Sequence, residues 1–369
     1  DAAALVKPLG DDPSVLSQPG PAWDAAAAVR SSVRAVVADR DPDQRELVPA
    51  LVDGDDAGID PDLADDFRDT GLTHLLAVSG TNLTLVVGFL VILGRWAGVR
   101  GRGTYVLAAI GIVGFVMVAR TEPSVVRAAA MGTVALIGMG SNGLSRGTRC
   151  LGVAALVLLL LDPQLAVTAG FALSVLATAG ILLLAPSWRD ALARWLPRWA
   201  AEAVAVPLAA QVACTPVVAG ISGEVSLVAV GANLVAAPAV APATVLGLGG
   251  GLIGLVWQPL GVAVAAPGAW AAGWIIAVAR QGADLPTPAV TWGSGPVALG
   301  MLTVLCLLLV MVAPRLLGQP VTAMGCCLLM VLAVFVRLPT PGWPPDGWVL
   351  AMCDVGQGDA LVLNAGAGE

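Results

Sequence analysis

Polar side chains that interrupt long apolar runs are where this sequence could carry chemistry. The densest group is Gly71-Leu72-Thr73-His74-Leu75-Leu76-Ala77-Val78-Ser79-Gly80-Thr81-Asn82. Hydroxyls, an imidazole and an amide stand there in an otherwise greasy stretch. Lipid offers such groups no hydrogen bonds, so inside a bilayer they turn toward a bundle interior or a wet path. Two roles meet that need: interhelical hydrogen bonding with close packing at Gly80, or the lining of a polar passage. His74 is the single histidine, and it reads as a helix-end residue at the interface or as part of a pore mouth. Further on, Pro123-Ser124-Val125-Val126-Arg127 places an arginine about one turn into an apolar run that proline and serine suit as a helix start. An arginine at the bilayer centre costs about 2.5–3.5 kcal/mol on insertion scales. Arg127 therefore either pairs with Glu122 near the interface or meets a substrate. Gln211 and Thr215 interrupt a later run, and Ser226 and Asn233 the next. His74, Ser79, Thr81, Asn82, Arg127, Gln211 and Asn233 form the candidate lining of a polar path built mostly from neutral groups.

Several chemistries are excluded. Lys7 is the only lysine, so there is no GxxxxGKS/T phosphate loop. One histidine builds no histidine-rich metal cluster, and the six cysteines show no CxxC or Cys/His spacing, reading instead as small buried hydrophobes. Ser79 lacks the GxSxG elbow of a serine hydrolase. Asp53-Gly54-Asp55-Asp56 is a solvated turn without the spacing of a calcium loop. The sequence thus predicts no catalytic residue, no metal ligand and no cofactor in this chain, which is read as a non-enzyme.

The elements that must position these residues are membrane spans. Hydrophobic residues make up 57% of the 369 and charged residues 12%, about half the usual charged share of a soluble domain. Mean hydropathy is +0.84. The chain opens at Asp1 and stops at Glu369 in a strand-like run, so it is expected to be a segment of a longer protein. Residues 1–71 hold 16 acidic and 6 basic side chains, whereas the remainder holds 10 and 13. That shift marks an acidic extracytoplasmic segment with amphipathic helices (1–71) ahead of a transmembrane domain (72–338). One helix is expected from Trp23 to Ala38, lying on the membrane surface, and another from the Asp60 N-cap to Gly71.

The predicted fold is an all-α polytopic membrane protein of about ten spans: 75–94, 104–119, 123–140, 148–161, 164–185, 201–220, 225–257, 259–279, 297–313 and 320–336. The run 225–257, punctuated by Gly231, Asn233, Pro238, Pro242 and Gly249-Gly250-Gly251, is expected to break into two half-helices. The span 148–161 is short enough to be re-entrant. Arginines after alternate spans (Arg95, Arg100 and Arg102; Arg146 and Arg149; Arg189, Arg194 and Arg198; Arg315) orient those loops to the cytoplasm. Both ends of the chain then face outward. From Gly347 a β-hairpin is expected, opening a soluble β-containing domain (347–369).

Three motifs, in order, resemble the ComEC competence family. They are Leu51-Val52-Asp53-Gly54-Asp55 followed by the Gly71–Gly80 stretch; Pro123-Ser124-Val125-Val126-Arg127-Ala128 followed by Gly170-Phe171-Ala172-Leu173-Ser174; and Asp354-Val355-Gly356-Gln357-Gly358-Asp359-Ala360. The last looks like the start of a metallo-β-lactamase-like domain. The resemblance implies a multi-pass channel of the cytoplasmic (inner) membrane that takes up single-stranded DNA during natural transformation. Single-stranded DNA, the lipid bilayer, an outer DNA receptor and a cytoplasmic ATP-driven translocase are the partners it implies. Asn82 stands where many members carry a histidine, and the HxHxDH metal stretch is absent, so no nuclease residue carries over. A small-solute secondary transporter and a membrane scaffold for a downstream lactamase-like hydrolase are the alternatives.

Overall fold

Proline starts many of the helices, as its fixed φ and missing N–H suit the first turn. The computed structural model describes residues 20–76, 80–119, 125, 128–130, 144–335, 350–354 and 359–363. Three short helices come first: α1 (Pro21–Val37), α2 (Pro42–Asp53) and α3 (Pro61–Asp69). As expected, Asp60 caps α3, its carboxylate accepting from the Asp62 N–H at 2.9 Å. A 3₁₀ turn at Thr73–Leu75 leads to α4 (Gly80–Trp96) and α5 (Arg102–Val118). Then follow α6 (Leu144–Leu161), α7 (Ala169–Leu183), α8 (Ala185–Leu192), α9 (Arg198–Ser222), α10 (Ala229–Gly254), α11 (Gln258–Ala283), α12 (Pro296–Leu317) and α13 (Pro320–Phe335).

The strands are few. β1 (Glu224–Ser226) pairs antiparallel with β2 (Ala289–Thr291), and β3 (Leu350–Asp354) with β4 (Asp359–Leu363). The second pair is the expected hairpin. The fold is all-α and membrane-like.

The centre is the antiparallel pair α10–α11, each about 37 Å long at 1.5 Å per residue. Small residues line the seam. A Cβ added to Gly250 would stand 2.8 Å from the Gly261 carbonyl oxygen, and one on Gly261 2.6 Å from the Gly254 Cα. Backbone therefore meets backbone. An adjoining strip of the same glycine-rich face of α10 receives the amino-terminal helices: Val48 and Val52 of α2 pack on Gly247, and Val33 and Val36 of α1 on Gly251 and Gly254. Leu47, Leu51, Phe67 and Ile275 are fully buried in the same core.

Residues 21–76 thus lie along the length of α10 and α11, and the charge boundary at residue 71 is not a packing boundary. α1 does not rest on a membrane surface through its apolar stripe, because Val29, Val33, Val36 and Val37 are buried in protein. Its two arginines are also used. Arg30 donates to the Met117 and Val118 carbonyls at 3.2 Å, a cation at the C-terminal end of α5 where the helix dipole favours it. Arg34 pairs with Asp55.

A second core forms where Trp188 and Leu192 of α8 meet Ala201, Ala205 and Ala209 of α9 and Ala313 of α12. Trp195 Nε1 donates to the Leu317 carbonyl at 2.8 Å, bringing the Arg194–Arg198 loop beside the end of α12. At the other end of these helices, β1–β2 joins the α9–α10 and α11–α12 connections, reinforced by Trp292 N–H to Gly223 O at 2.6 Å.

Four helices, α9 to α12, are long and apolar enough to cross a membrane, and α7 with α8, bent by 43°, would make a fifth. Four shorter apolar helices lie within α4, α5, α6 and α13. The expected span 123–140 falls mostly outside the described residues. Three expectations change. The run 225–257 does not split into half-helices: α10 is continuous from Ala229 to Gly254. Pro238 and Pro242 stand on its exposed side, so their lost hydrogen bonds leave the small-residue seam intact. Trp274 Nε1 also ties α11 to the Val235 carbonyl at 3.0 Å. The break falls instead in 164–185, between Leu183 and Ala185. Finally, 148–161 is part of one helix, α6, rather than a re-entrant loop.

The end of α3 gathers carboxylates. Burial pushes the Asp69 carboxyl above its ordinary value of 3.8, with Glu224 and Asp65 adding repulsion and Arg68 partly offsetting it. Burial does the same to Asp66, which Arg280 partly relieves. A raised folded-state pKa means the folded protein holds these protons more tightly than the unfolded chain. The associated stability is present below about pH 3.8 and is lost as pH rises through the folded value.

Two measurements follow. Gly250→Ala or Gly261→Ala is expected to destabilise by roughly 1–3 kcal/mol through overpacking. Gly249→Ala, whose Cβ meets nothing within 4 Å, is expected to be nearly neutral. Equal melting temperatures for all three would contradict the seam. Asp69→Asn is expected to raise Tm near about pH 7 and to give no gain near about pH 3.5. A gain of the same size at both values would show that charge is not its cause.

Candidate functional site

Two of the candidate residues, His74 and Asn233, lie at the junction between α3, the start of α10 and the end of α11. Gly71 takes a left-handed backbone, φ 66°, and an added Cβ would stand 2.6 Å from Ala229 Cβ, so only glycine fits both the turn and the contact. Ser226 Oγ donates to the Asp69 carbonyl at 2.6 Å. Buried Thr70 donates to the Asp66 carbonyl at 2.7 Å and packs on Gly282. Thr73 adds a bond to the Phe67 carbonyl at 3.3 Å. The chain leaving α3 is therefore fixed to both long helices before it reaches His74.

His74 keeps accessible surface while hemmed in by protein. That crowding pushes its imidazole below the ordinary value, and a hydrogen bond with the Gly71 backbone partly opposes the shift. Asn233, one turn into α10, is half-buried, and its amide donates to the Ala229 carbonyl at 2.8 Å. His74 and Asn233 thus flank the Gly71–Ala229 contact.

The other candidates lie elsewhere. Asn82 is 1% exposed, and its Nδ2 donates to the Leu51 carbonyl at 3.1 Å. That carbonyl belongs to the last turn of α2, where no intrahelical donor is available. Asn82 therefore closes a helix end. Gln211 is half-buried in mid-α9, and its carbonyl accepts from Thr215 Oγ1 at 2.7 Å. It sits about 16 Å from the end of α9, whereas Asn233 is about 6 Å from the start of α10. The two differ in depth along adjoining helices. Ser79, the Thr81 side chain, Arg127 and its expected partner Glu122 lie outside the described residues.

Sequence reasoning passed over Thr70, Ser32 and Thr244. Ser32 Oγ donates to the Gly251 carbonyl at 2.7 Å, anchoring α1 to α10. Thr244 is fully buried, with no hydrogen-bond partner for its hydroxyl among the described residues. A threonine in an alanine-rich helix looks like any other small residue, so only the packing reveals it. Among the described residues no three His, Cys, Asp or Glu side chains are grouped to hold a metal ion.

Comparison with known proteins places this arrangement in a wider setting. No solved structure matches the chain. ComE operon protein 3 of Bacillus subtilis (strain 168) is 26% identical over 337 residues, covering 88% of this chain and 41% of that protein. The chain therefore spans about two fifths of the length of that relative. The family model described as Competence protein matches residues 51–317, from the last turn of α2 to the last residue of α12. With all four long apolar helices and the Gly71–Ala229 junction inside that match, the chain belongs to the competence protein family.

Proposed function

We propose that this chain forms the membrane passage of a DNA-uptake system, bringing single-stranded DNA across the cytoplasmic membrane in about ten passes. The observation that carries the proposal is the family match over residues 51–317, supported by the four long apolar helices within it. Neutral amides and hydroxyls suit a polyanion in transit. Each contacts phosphate or base weakly enough to release it, whereas a basic groove would hold the strand by counterion release. Under this proposal the chain performs no catalysis and binds no metal or cofactor. β3–β4 opens a lactamase-like domain, and an outer receptor and a cytoplasmic ATP-driven translocase supply and pull the strand. A small-solute transporter is the alternative that a broken span at 225–257 and sparse buried charges would favour; α10 is unbroken there.

The orientation proposed for α9–α12 follows the arginines. Arg194, Arg198 and Arg315 stand at one end of these helices and β1–β2 at the other, which places the arginine end in the cytoplasm. In intact cells, Gly293→Cys is expected to react with a membrane-impermeant maleimide and Gln319→Cys to be protected. The reverse pattern would invert the topology.

Uptake itself is tested at the half-buried amides. Gln211→Leu and Asn233→Leu are each expected to lower uptake of labelled DNA in a competent host at normal protein level. Asn82→Leu is expected to act differently, costing roughly 1–3 kcal/mol because the buried Leu51 carbonyl loses its donor. Its first effect is reduced protein level. Undiminished uptake by the Gln211 and Asn233 variants at normal expression would remove them from the path.

A further inference from the structure

The α4–α5 hairpin holds a feature that the proposed passage does not use. Between the two helices runs an open groove of about 1050 Å³. Leu83, Val87 and Val91 on α4 and Ala108 and Ile112 on α5 line its wall, and Arg95, Trp96, Arg100 and Tyr105 its far end. From Leu83 to Arg95 is about 18 Å along α4, close to the roughly 15 Å hydrocarbon depth of one leaflet. Phe89, Val106 and Ile110, outside the groove lining, are exposed on the same helices, which suits a lipid surrounding.

The end of the groove is built by its turn. Gly98 (φ 90°) and Gly101 (φ 59°, ψ −127°) take backbone conformations that side chains rarely allow. They reverse the chain so that Arg100 joins Arg95 in the lining. No aspartate or glutamate occurs between Asp69 and Glu122. Neither arginine has an ion-pair partner among the described residues. Trp96 is 82% and Tyr105 50% exposed, amphipathic rings of the kind that settle at headgroup level.

We infer that this groove binds one anionic phospholipid, with an acyl chain along the Leu83–Ile112 wall and the phosphate held by Arg95 and Arg100. The inference rests on α4 and α5 lying in the bilayer. Paired guanidinium groups present planar, multiple donors to phosphate oxygens, and the apolar wall matches a hydrocarbon tail. A nucleic acid strand fits less well. It needs cationic and stacking groups along a track, and here they occupy one end only.

The test is native mass spectrometry of the full chain in mild detergent after equilibration with phosphatidylglycerol or phosphatidylcholine. Phosphatidylglycerol is expected to be retained in preference. Arg95→Gln and Arg100→Gln should each reduce its retention about fivefold. Val91→Trp, which fills the groove and keeps both arginines, should reduce it as well. Equal retention of the two lipids, or retention unchanged in the arginine variants, overturns the inference. So does loss of a short oligonucleotide from those variants while phosphatidylglycerol stays bound. Bilayer placement is read separately, outside the groove: in membranes, Ile110→Cys (60% exposed in the protein) should resist a water-borne maleimide that labels Gly293→Cys. Equal labelling would refute that placement whatever the lipid preference.

Discussion

Backbone contact between α10 and α11 is the constraint on which the rest of the structure depends. Two apolar helices in lipid gain little from hiding side chains from their surroundings, since lipid tails are as apolar as leucine. They associate through close packing, and Gly250, Gly254, Gly261 and Gly268 permit it by leaving no side chain in the way. The same face of the helix is small a little further round as well, where Gly247, Gly251 and Gly254 admit Val48, Val33 and Val36. One glycine-rich stretch thus serves two interfaces. Any side chain that widened either would push α1 and α2 off α10 and with them the Leu51 carbonyl that Asn82 closes.

This double use explains what was and was not legible in the sequence. Apolar runs marked α9, α11 and α12 well, because each is long, nearly uncharged and ended by polar residues. The Asp60 cap and the β3–β4 hairpin were equally plain, being set by local chemistry. The same logic failed at 225–257. Gly249-Gly250-Gly251, Pro238 and Pro242 look like helix breakers when read locally, yet tertiary packing turns the glycines into an interface and leaves the prolines on the exposed face. The competing principle was context over propensity. Conversely, nothing in Gly180-Ile181-Leu182-Leu183-Leu184-Ala185 warns of a 43° bend except Pro186, whose effect on its predecessor is to disfavour the helical conformation.

Helix α2 was missed for a related reason. Its leucines and valines at 47, 48, 51 and 52 follow helical spacing, but they sit inside an acidic region whose composition suggested a solvated segment. Charge and periodicity carried different messages there, and both were true. Asp43 and Glu46 stay partly accessible while the apolar stripe enters the main core, with Asp53 buried at the helix end. Of the candidate path, the sequence located polar groups but not their partners. Asn82 looked like a lining residue because an amide is costly against lipid. The cost is real, and it is met by a helix-end carbonyl rather than by water.

Charge in the molecule is sorted by whether it is answered locally. Around α3 and the end of α11, carboxylates meet arginines: Arg34 with Asp55, Arg68 with Asp65, and Arg280 with Asp43 at 2.7 Å. At the α4–α5 turn, arginines stand without carboxylates, so their counterions must come from outside the described protein. Of the candidates among the described residues, Asn82, Gln211 and Asn233 carry no charge, and the His74 imidazole is pushed below its ordinary value. Under the proposed function, such neutral groups would set no electrostatic trap for a polyanion and would supply no attraction either. Entry against the carboxylates near Asp69 would then have to be driven rather than drawn.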